Sequence, residues 1–447
     1  MRKLVAIALL SIVVGAVRVG EYADASTTQH LRQIGQVQLR VGGIPRHVGA
    51  LAFSDRLVIA GTTVLDHVQA FTQPQHEGLG IFKILKGPPY LRQIGSYRCP
   101  GTLEGEVSVW RSFVTMSVGG ETPHESGRRL PGNDFVSSRC NNTDDSAGRI
   151  GVRVVDISDP GRPRQVAFVS TECGSHTHTL LPRGDHALLY VGTSCHIPNP
   201  IGGGTGTMEV LRLDKSGAAR RVNTASIEPA RGCHDITLFP AKRLGLCVGD
   251  VAVAVLDLSD AARPLTLSMV ERPEAQFQYA QFSWDGRSAL VAGVRDGGLL
   301  PGACGGQGEL MTGGVWALDL ANPLNPILKG RYQPEEVALA PRGCHATAFS
   351  TLPTRDGSRL ATLPYADGGL VLLDFTDLDH PYEVDRFVPT SSGLGPAAHW
   401  YNGRIYASDL WSDAGIRVFR MKNDGPKRIR RFRGPYNPQT QRRSFAL

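Results

Sequence analysis

Short runs in which apolar and polar residues alternate, each closed by Asp, Asn, Gly or Pro and followed by a second β-rich run, recur along the whole chain. The clearest copy is GVRVVDISDPGRPRQVAFV, from Gly151 to Val169. A period of two puts successive side chains on opposite faces of a strand, and the Asp, Pro and Gly between the runs mark a tight turn. Related copies begin near Gly80 (GIFKILKGPPYLRQIGSY), Thr207 (TMEVLRLDKSGAARRVNTA), Ala252 (AVAVLDLSDAARPLTLSMV), Gly314 (GVWALDLANPLNPILKGRY), Gly369 (GLVLLDFTDLDHPYEVDRF) and Gly415 (GIRVFRMKNDGPKRIRRFR), making seven. The shortest spacings between equivalent positions, Arg212 to Asp257 and Asp374 to Arg420, suit one four-stranded blade each. The pattern therefore predicts an all-β fold, a seven-bladed β-propeller of four-stranded antiparallel blades.

Each cassette supplies the outer strands c and d of a blade, and the segment after it supplies the inner strands a and b. The a strands read EVSVW (Glu106 to Trp110), HTHTLLP (from His176), HDITLFP (from His234), QYAQFSW (from Gln278), HATAFS (from His345) and AHWYN (from Ala398), with HVGALAF (from His47) in the first blade. In an antiparallel blade the start of a, the b–c connection and the d–a connection share one end. Long insertions fall in b–c connections: Gly61 to Gly78, Gly119 to Gly148, Ser194 to Gly206 and Arg295 to Gly313. Such loops are where binding residues concentrate, so that face is the functional one. The motif LRQIG occurs at Leu31 to Gly35 and again at Leu91 to Gly95, which makes the chain begin with an orphan d strand. Either it or the run Lys427 to Arg433 completes the last blade and removes the exposed sheet edges.

The composition fits: 52 Gly and 29 Pro make the chain turn-rich, while 41% hydrophobic residues can fill a core between blades. Length alone would allow two or three domains, but a closed seven-fold ring is one unit. The expected organisation is a secretory signal over 1–25, one propeller domain over 26–433 and a basic tail over 434–447. The start, MRKLVAIALLSIVVGAV, has an apolar stretch of about 14 residues, the length of a signal h-region and short for a spanning helix. Cleavage after Ala25, or alternatively after Ala16, leaves a secreted or envelope-associated chain with no spanning segment. The formal net charge is +7, and Lys427, Arg428, Arg430, Arg431, Arg433, Arg442 and Arg443 lie in the tail. No basic stripe with interleaved aromatics occurs elsewhere, which argues against nucleic-acid binding. The run suits a charge-protected edge strand, with anionic polymers or lipid headgroups as the other contacts it could make.

Eight cysteines in an exported chain favour four disulfides. Cys173 precedes the a strand of the third blade and Cys195 follows its b strand, and Cys233 and Cys247 repeat that arrangement one blade later. By the same topology Cys99 meets Cys140 and Cys304 meets Cys344. All eight staple the loop-bearing end, and the lack of a CxxC pair argues against a metal-thiolate site.

His176 and His178 form His-x-His on a strand, where a period of two puts both rings on one side. His234 and Asp235 open the next a strand. Glu104, Glu106, Gln278, His345 and His399 begin or approach others and line the central channel. Imidazoles and carboxylates from several blades could bind zinc, copper or iron, with His176, His178 and His234 as ligands and Asp235 or Glu106 to orient a ligand or act as general base. No GxSxG elbow exists, and IGGGTG (Ile201 to Gly206) has no helix after it, so it is no phosphate cradle.

The turns of GVRVVDISDP and LVLLDFTDLDHP, with EVSVW, CGSHTHTLLP (Cys173 to Pro182), GCHDITLFP (Gly232 to Pro240), FSWDG (Phe282 to Gly286) and HWYNGRIYASD (His399 to Asp409), resemble the secreted bacterial family named for its LVIVD repeat. The resemblance runs from about Leu31 to Gln441. It implies a propeller of unassigned activity. It also implies a histidine near Gln278 and another near Thr347, which this chain lacks, leaving His176, His178 and His234 with His345 or His399. In fold and channel histidines only, the chain is also similar to methanethiol oxidase and selenium-binding propellers. The expectation is a monomeric binding module for an extracellular protein, glycan or small molecule. The alternative is a metal-dependent oxidoreductase or hydrolase.

Overall fold

The computed structural model describes residues 28–63, 78–99, 105–118, 150–172, 174–192, 207–227, 232–249, 251–272, 276–294, 314–334, 346–365, 368–389, 394–395, 397–409, 415–422 and 429. The signal over 1–25, the tail over 434–447, and Glu104, His345, Cys140, Cys173, Cys195, Cys304 and Cys344 lie outside them.

The first described strand is β1 (Leu31–Val37). The first blade is β2 (Leu39–Val41), β3 (Ile44–Ser54), β4 (Leu57–Thr63), β5 (Gly78–Ile84) and β6 (Leu91–Arg98), and the second is β7 (Val107–Trp110), β8 (Phe113–Val118), β9 (Gly151–Asp156) and β10 (Arg164–Ser170). The third is β11 (His178–Arg183), β12 (His186–Val191), β13 (Thr207–Asp214) and β14 (Ala219–Ser226). The fourth is β15 (Asp235–Phe239), β16 (Leu244–Val248), β17 (Ala252–Asp257) and β18 (Leu265–Glu271). The fifth is β19 (Gln276–Phe282), β20 (Ser288–Val294), β21 (Gly314–Asp319) and β22 (Ile327–Tyr332). The sixth is β23 (Ser350–Leu352), β24 (Leu360–Tyr365), β25 (Gly369–Asp374) and β26 (Tyr382–Phe387). The seventh holds β27 (Ala398–Tyr401), β28 (Arg404–Asp409) and β29 (Gly415–Met421). Seven antiparallel sheets in this order are a seven-bladed β-propeller.

The cassette turn has a specific cause. In the second, fourth, fifth and sixth blades the Asp that ends the c strand bends its carboxylate back onto the backbone two residues on: Asp156 accepts from Ser158 N–H, Asp257 from Ser259, Asp319 from Ala321 and Asp374 from Thr376. This is the turn chemistry for which Asp is selected. The c strands themselves are buried on both faces, as in GVRVVD of β9, because each blade is sandwiched between its neighbours. Their polar members are satisfied across the sheet: the buried Arg153 donates to Gln165, and the buried Glu209 pairs with Arg221 at 3.0 Å.

Between blades, the d strands receive the next blade's c–d turn. A Cβ on Gly95 would stand 1.7 Å from the Pro160 carbonyl oxygen, and one on Gly330 would stand 2.0 Å from that of Asp379. The glycine that ends the second LRQIG is therefore a seat for a neighbouring turn.

Ring closure is made by the orphan strand. β1 pairs antiparallel with β29 from Leu31 opposite Met421 to Val37 opposite Ile416. The run from Lys427 does not take this place; its one described residue, Ile429, bridges Thr354 of the sixth blade instead. The closing seam is polar and buried. Arg417 of β29 forms an ion pair with Asp409 at 3.0 Å and donates to Gln33 and Gln36 of β1. Asp385 of the sixth blade accepts the backbone N–H groups of Gln29, His30 and Leu31, fixing the start of β1.

Candidate functional site

The expected Cys233–Cys247 bridge is present, with S–S 2.05 Å, and joins the residue before His234 to β16. Cys99 is disulfide-bonded as well. No helix among the described residues is long and apolar enough to cross a membrane.

The bridge holds His234 at the start of β15, where its N–H donates to the Val248 carbonyl at 2.6 Å. From the third blade, the segment before β11 is tied down by His176 N–H to Gly192 O at 3.0 Å and Gly192 N–H to Thr177 O at 2.9 Å. These anchors bring the two imidazoles edge to face, centroids 4.3 Å apart, with Nε2 to Nε2 at 3.0 Å. His234 Nδ1 faces the Gln278 carbonyl oxygen of the fifth blade at 2.9 Å. A carbonyl only accepts, so Nδ1 carries the proton and Nε2 keeps a lone pair; the neutral pair is then completed by His176 Nε2–H donating to it. A histidine oriented through Nδ1 by a carbonyl, with Nε2 turned to a partner, is also the arrangement that suits a metal ligand.

His178 does not join them. The period-of-two expectation required both residues in one strand, but β11 begins at His178 and His176 precedes it in a bend. His178 turns instead to the second blade, with Nε2 2.7 Å from Thr115 Oγ1 and Nδ1 2.7 Å from Ser117 Oγ. Thr115 can pass its own proton to the Ser108 carbonyl, and Ser117 also meets Ser175 Oγ at 2.7 Å. Burial pushes the His178 imidazole down to about 3, which keeps it neutral within this hydroxyl chain. Among the described residues no three His, Cys, Asp or Glu side chains converge as a metal site, so they offer a two-imidazole pair and no more.

Further along the axis is a cavity with room for about one water-sized sphere, ≈ 10 Å³, to which all seven blades contribute. Its polar lining is Glu106, Thr179, Asp235, Thr237, Tyr279 and His399. Asp235 and Glu106 are thus brought together with His399, while His176 and His234 are not part of this lining. His399 is buried, donor or acceptor to Ser350 Oγ through Nδ1 at 2.9 Å and set edge-on to Phe53, and burial lowers it to about 3. Gln278 contributes its backbone carbonyl to His234 rather than its side chain. The hydroxyl residues Thr115, Ser117, Thr179, Thr237 and Ser350 were not anticipated; their only mark in the sequence is Ser or Thr at alternate positions of a and b strands.

A larger cleft of about 160 Å³ lies at the opposite end, between the a–b turns of the fifth and sixth blades, with Trp284, Asp285, Thr354, Arg359 and Phe375 in its wall. The Asp285–Arg359 ion pair, at 3.0 Å, spans those two turns.

No protein-family model matches the chain, and no curated protein matches it.

Proposed function

We propose that this propeller is a secreted binding module that presents its loop-bearing face to an extracellular protein, glycan or small molecule. The observation that carries it is that the strands bounding the long b–c connections all meet those connections at one end of the ring. These run from Thr63 to Gly78, Val118 to Gly151, Val191 to Thr207 and Val294 to Gly314, whereas at the other end Arg183 and His186 are joined by a two-residue turn. A rigid disc with long segments on one face is the usual division between scaffold and recognition surface. The apolar N-terminal stretch and the Cys233–Cys247 bridge support export, since such bonds persist in oxidising compartments. The quoted motifs support kinship with the LVIVD-repeat proteins. The test is capture of a partner from the producing culture by the full chain, followed by affinity measurement. Deletion of residues 119–148 is expected to abolish binding and His234→Ala to leave it nearly intact; the opposite pattern overturns the reading.

One observation favours a second reading, a metal-dependent oxidoreductase or hydrolase: the Nε2 atoms of His176 and His234 at 3.0 Å. Two nitrogens bound to one tetrahedral ion at 2.0–2.1 Å would lie only slightly farther apart, at roughly 3.3 Å. Elemental mass spectrometry on untagged protein from an oxidising compartment decides it. Near-stoichiometric zinc, copper or iron that disappears in a His176→Ala, His234→Ala double variant moves this reading to first place.

A further inference from the structure

In every blade a residue near the end of the c strand stands opposite one near the start of the d strand, at the end of the disc away from the long connections. In the second, fourth, fifth and sixth blades an Asp holds the c-strand side: Asp156 opposite Arg164, Asp257 opposite Leu265, Asp319 opposite Ile327 and Asp374 opposite Tyr382. The corresponding pairs of the other three blades are two cations each: Lys83 with Arg92 in the first, Arg212 with Arg220 in the third and Arg420 with Arg32 in the seventh. Like charges directly opposite on a sheet are destabilising, so these pairs work against the fold that carries them.

Arg212 is relieved by Asp185 at 3.8 Å. Among the described residues no carboxylate is within ion-pair distance of Lys83, Arg92, Arg420 or Arg32, and all four side chains are exposed. The first and seventh blades are neighbours across the closing seam, and the turn between β5 and β6 sits on β1: a Cβ on Gly35 would stand 3.0 Å from the Pro89 carbonyl oxygen. Arg404 ties the same turn down, donating to the Leu85 and Lys86 carbonyls at 2.7 and 2.9 Å. The two like-charged pairs are thus held on one patch, to which the exposed Arg56 and Lys86 add further charge. Asp55, beside Arg56, borders it, as does Asp385, whose oxygens are taken by the backbone N–H groups of Gln29, His30 and Leu31.

We propose that this patch binds an acidic polysaccharide, whose carboxylates or sulfates stand between the paired cations of β5–β6 and of β1–β29. An anion placed there replaces two repulsions by charge-assisted hydrogen bonds, which guanidinium groups make in bidentate form. The exposed large apolar side chains of the described residues, Leu265, Leu324, Ile327, Tyr382 and Val388 of the fourth to sixth blades and Ile44 at the opposite end, lie off the patch, so it offers a bilayer no apolar anchor. The proposal shares only export with the loop-face reading and uses the other end of the disc.

The test is isothermal titration of the full chain with heparin and with polygalacturonate, and with neutral dextran as control. Binding to at least one acidic polymer is expected at about 50 mM salt, with loss at about 500 mM salt and none to dextran. A variant with Arg32, Lys83, Arg92 and Arg420 replaced by Gln is expected to bind at least about tenfold more weakly while melting no lower than the parent, since it loses repulsion. A second variant with Arg162, Lys215, Arg263 and Arg287 replaced by Gln, equal to the first in net charge, is expected to bind as the parent does. No binding to either acidic polymer, binding insensitive to salt, equal affinity in the two variants, or tighter binding of duplex DNA or phosphatidylglycerol vesicles overturns the proposal. Deletion of residues 119–148 is expected to leave this binding unchanged, which separates its outcome from that of the loop-face reading.

Discussion

The Nε2 atoms of His176 and His234 stand 3.0 Å apart across the seam between the third and fourth blades, while a carbonyl from the fifth blade, that of Gln278, takes the Nδ1–H of His234. Three blades thereby determine one tautomer. We expect nitrogen-15 NMR of the imidazoles at pH 8 to place the His234 proton on Nδ1 and the His176 proton on Nε2. A His234 protonated on Nε2 would be incompatible with this contact.

The buried imidazoles make stability depend on pH in a defined sense. His178 and His399 are both lowered from 6.5 to about 3 by desolvation, so between those values the unfolded chain binds protons that the folded one does not. Stability is complete above pH 6.5 and falls as pH drops toward 3, by roughly 1.4 kcal/mol per pH unit for each histidine. Urea unfolding at pH 7, 5.5 and 4 is expected to show this decline, with a shallower slope in His399→Gln. An equal slope in that variant would count against neutral burial of His399.

Removing one side of the closing ion pair should be costly, because its partner is left charged and buried. Asp409→Ala is expected to lower stability by about 3–5 kcal/mol in urea titrations, and replacing Asp409 and Arg417 together by Leu and Met to lower it much less. The side chains are 0% and 9% exposed, so solvent screening does little to reduce the effect. Equal losses in the single and double variants would contradict the coupling.

Gly95 is tested by the smallest possible change. Gly95→Ala places a methyl 1.7 Å from the Pro160 carbonyl oxygen, and backbone on both sides must move apart. A loss above about 3 kcal/mol is expected, well beyond the fraction of a kcal/mol that glycine-to-alanine usually changes elsewhere. A melting temperature within a degree of the parent would show that the turn yields freely.

The propeller, the positions of its a strands except the sixth, which runs over Ser350–Leu352 and not from His345, and the Cys233–Cys247 bridge were legible in the sequence because each depends on local chemistry. Asp156 and Ser158 make their turn within one cassette, and Cys233 and Cys247 flank a single hairpin. The closing strand was not legible, since LRQIG and KRIRRFR both read as β-rich. The deciding fact is non-local: the buried Arg417 needs acceptors, which Gln33 and Gln36 provide, whereas the Lys427 run would have brought further positive charge to it. His178 was misplaced for a related reason. Its spacing from His176 was clear, but the bend that takes His176 out of the strand comes from hydrogen bonds to Gly192, one hairpin away. The axial cavity was only half visible, because carboxylates and imidazoles draw notice in a sequence and isolated threonines such as Thr237 do not.

Closure by β1 also makes the seam a long-range contact. Gln33 and Arg417, which donates to it, are 384 positions apart, so the seam joins segments from opposite ends of the propeller sequence. β1 shares its LRQIG run with β6, so β5, the partner of β6, offers it a competing edge. Contacts so far apart in sequence carry the largest loop-closure cost, so the seam at Arg417 makes the integrity of the ring depend on both of its distant edges at once.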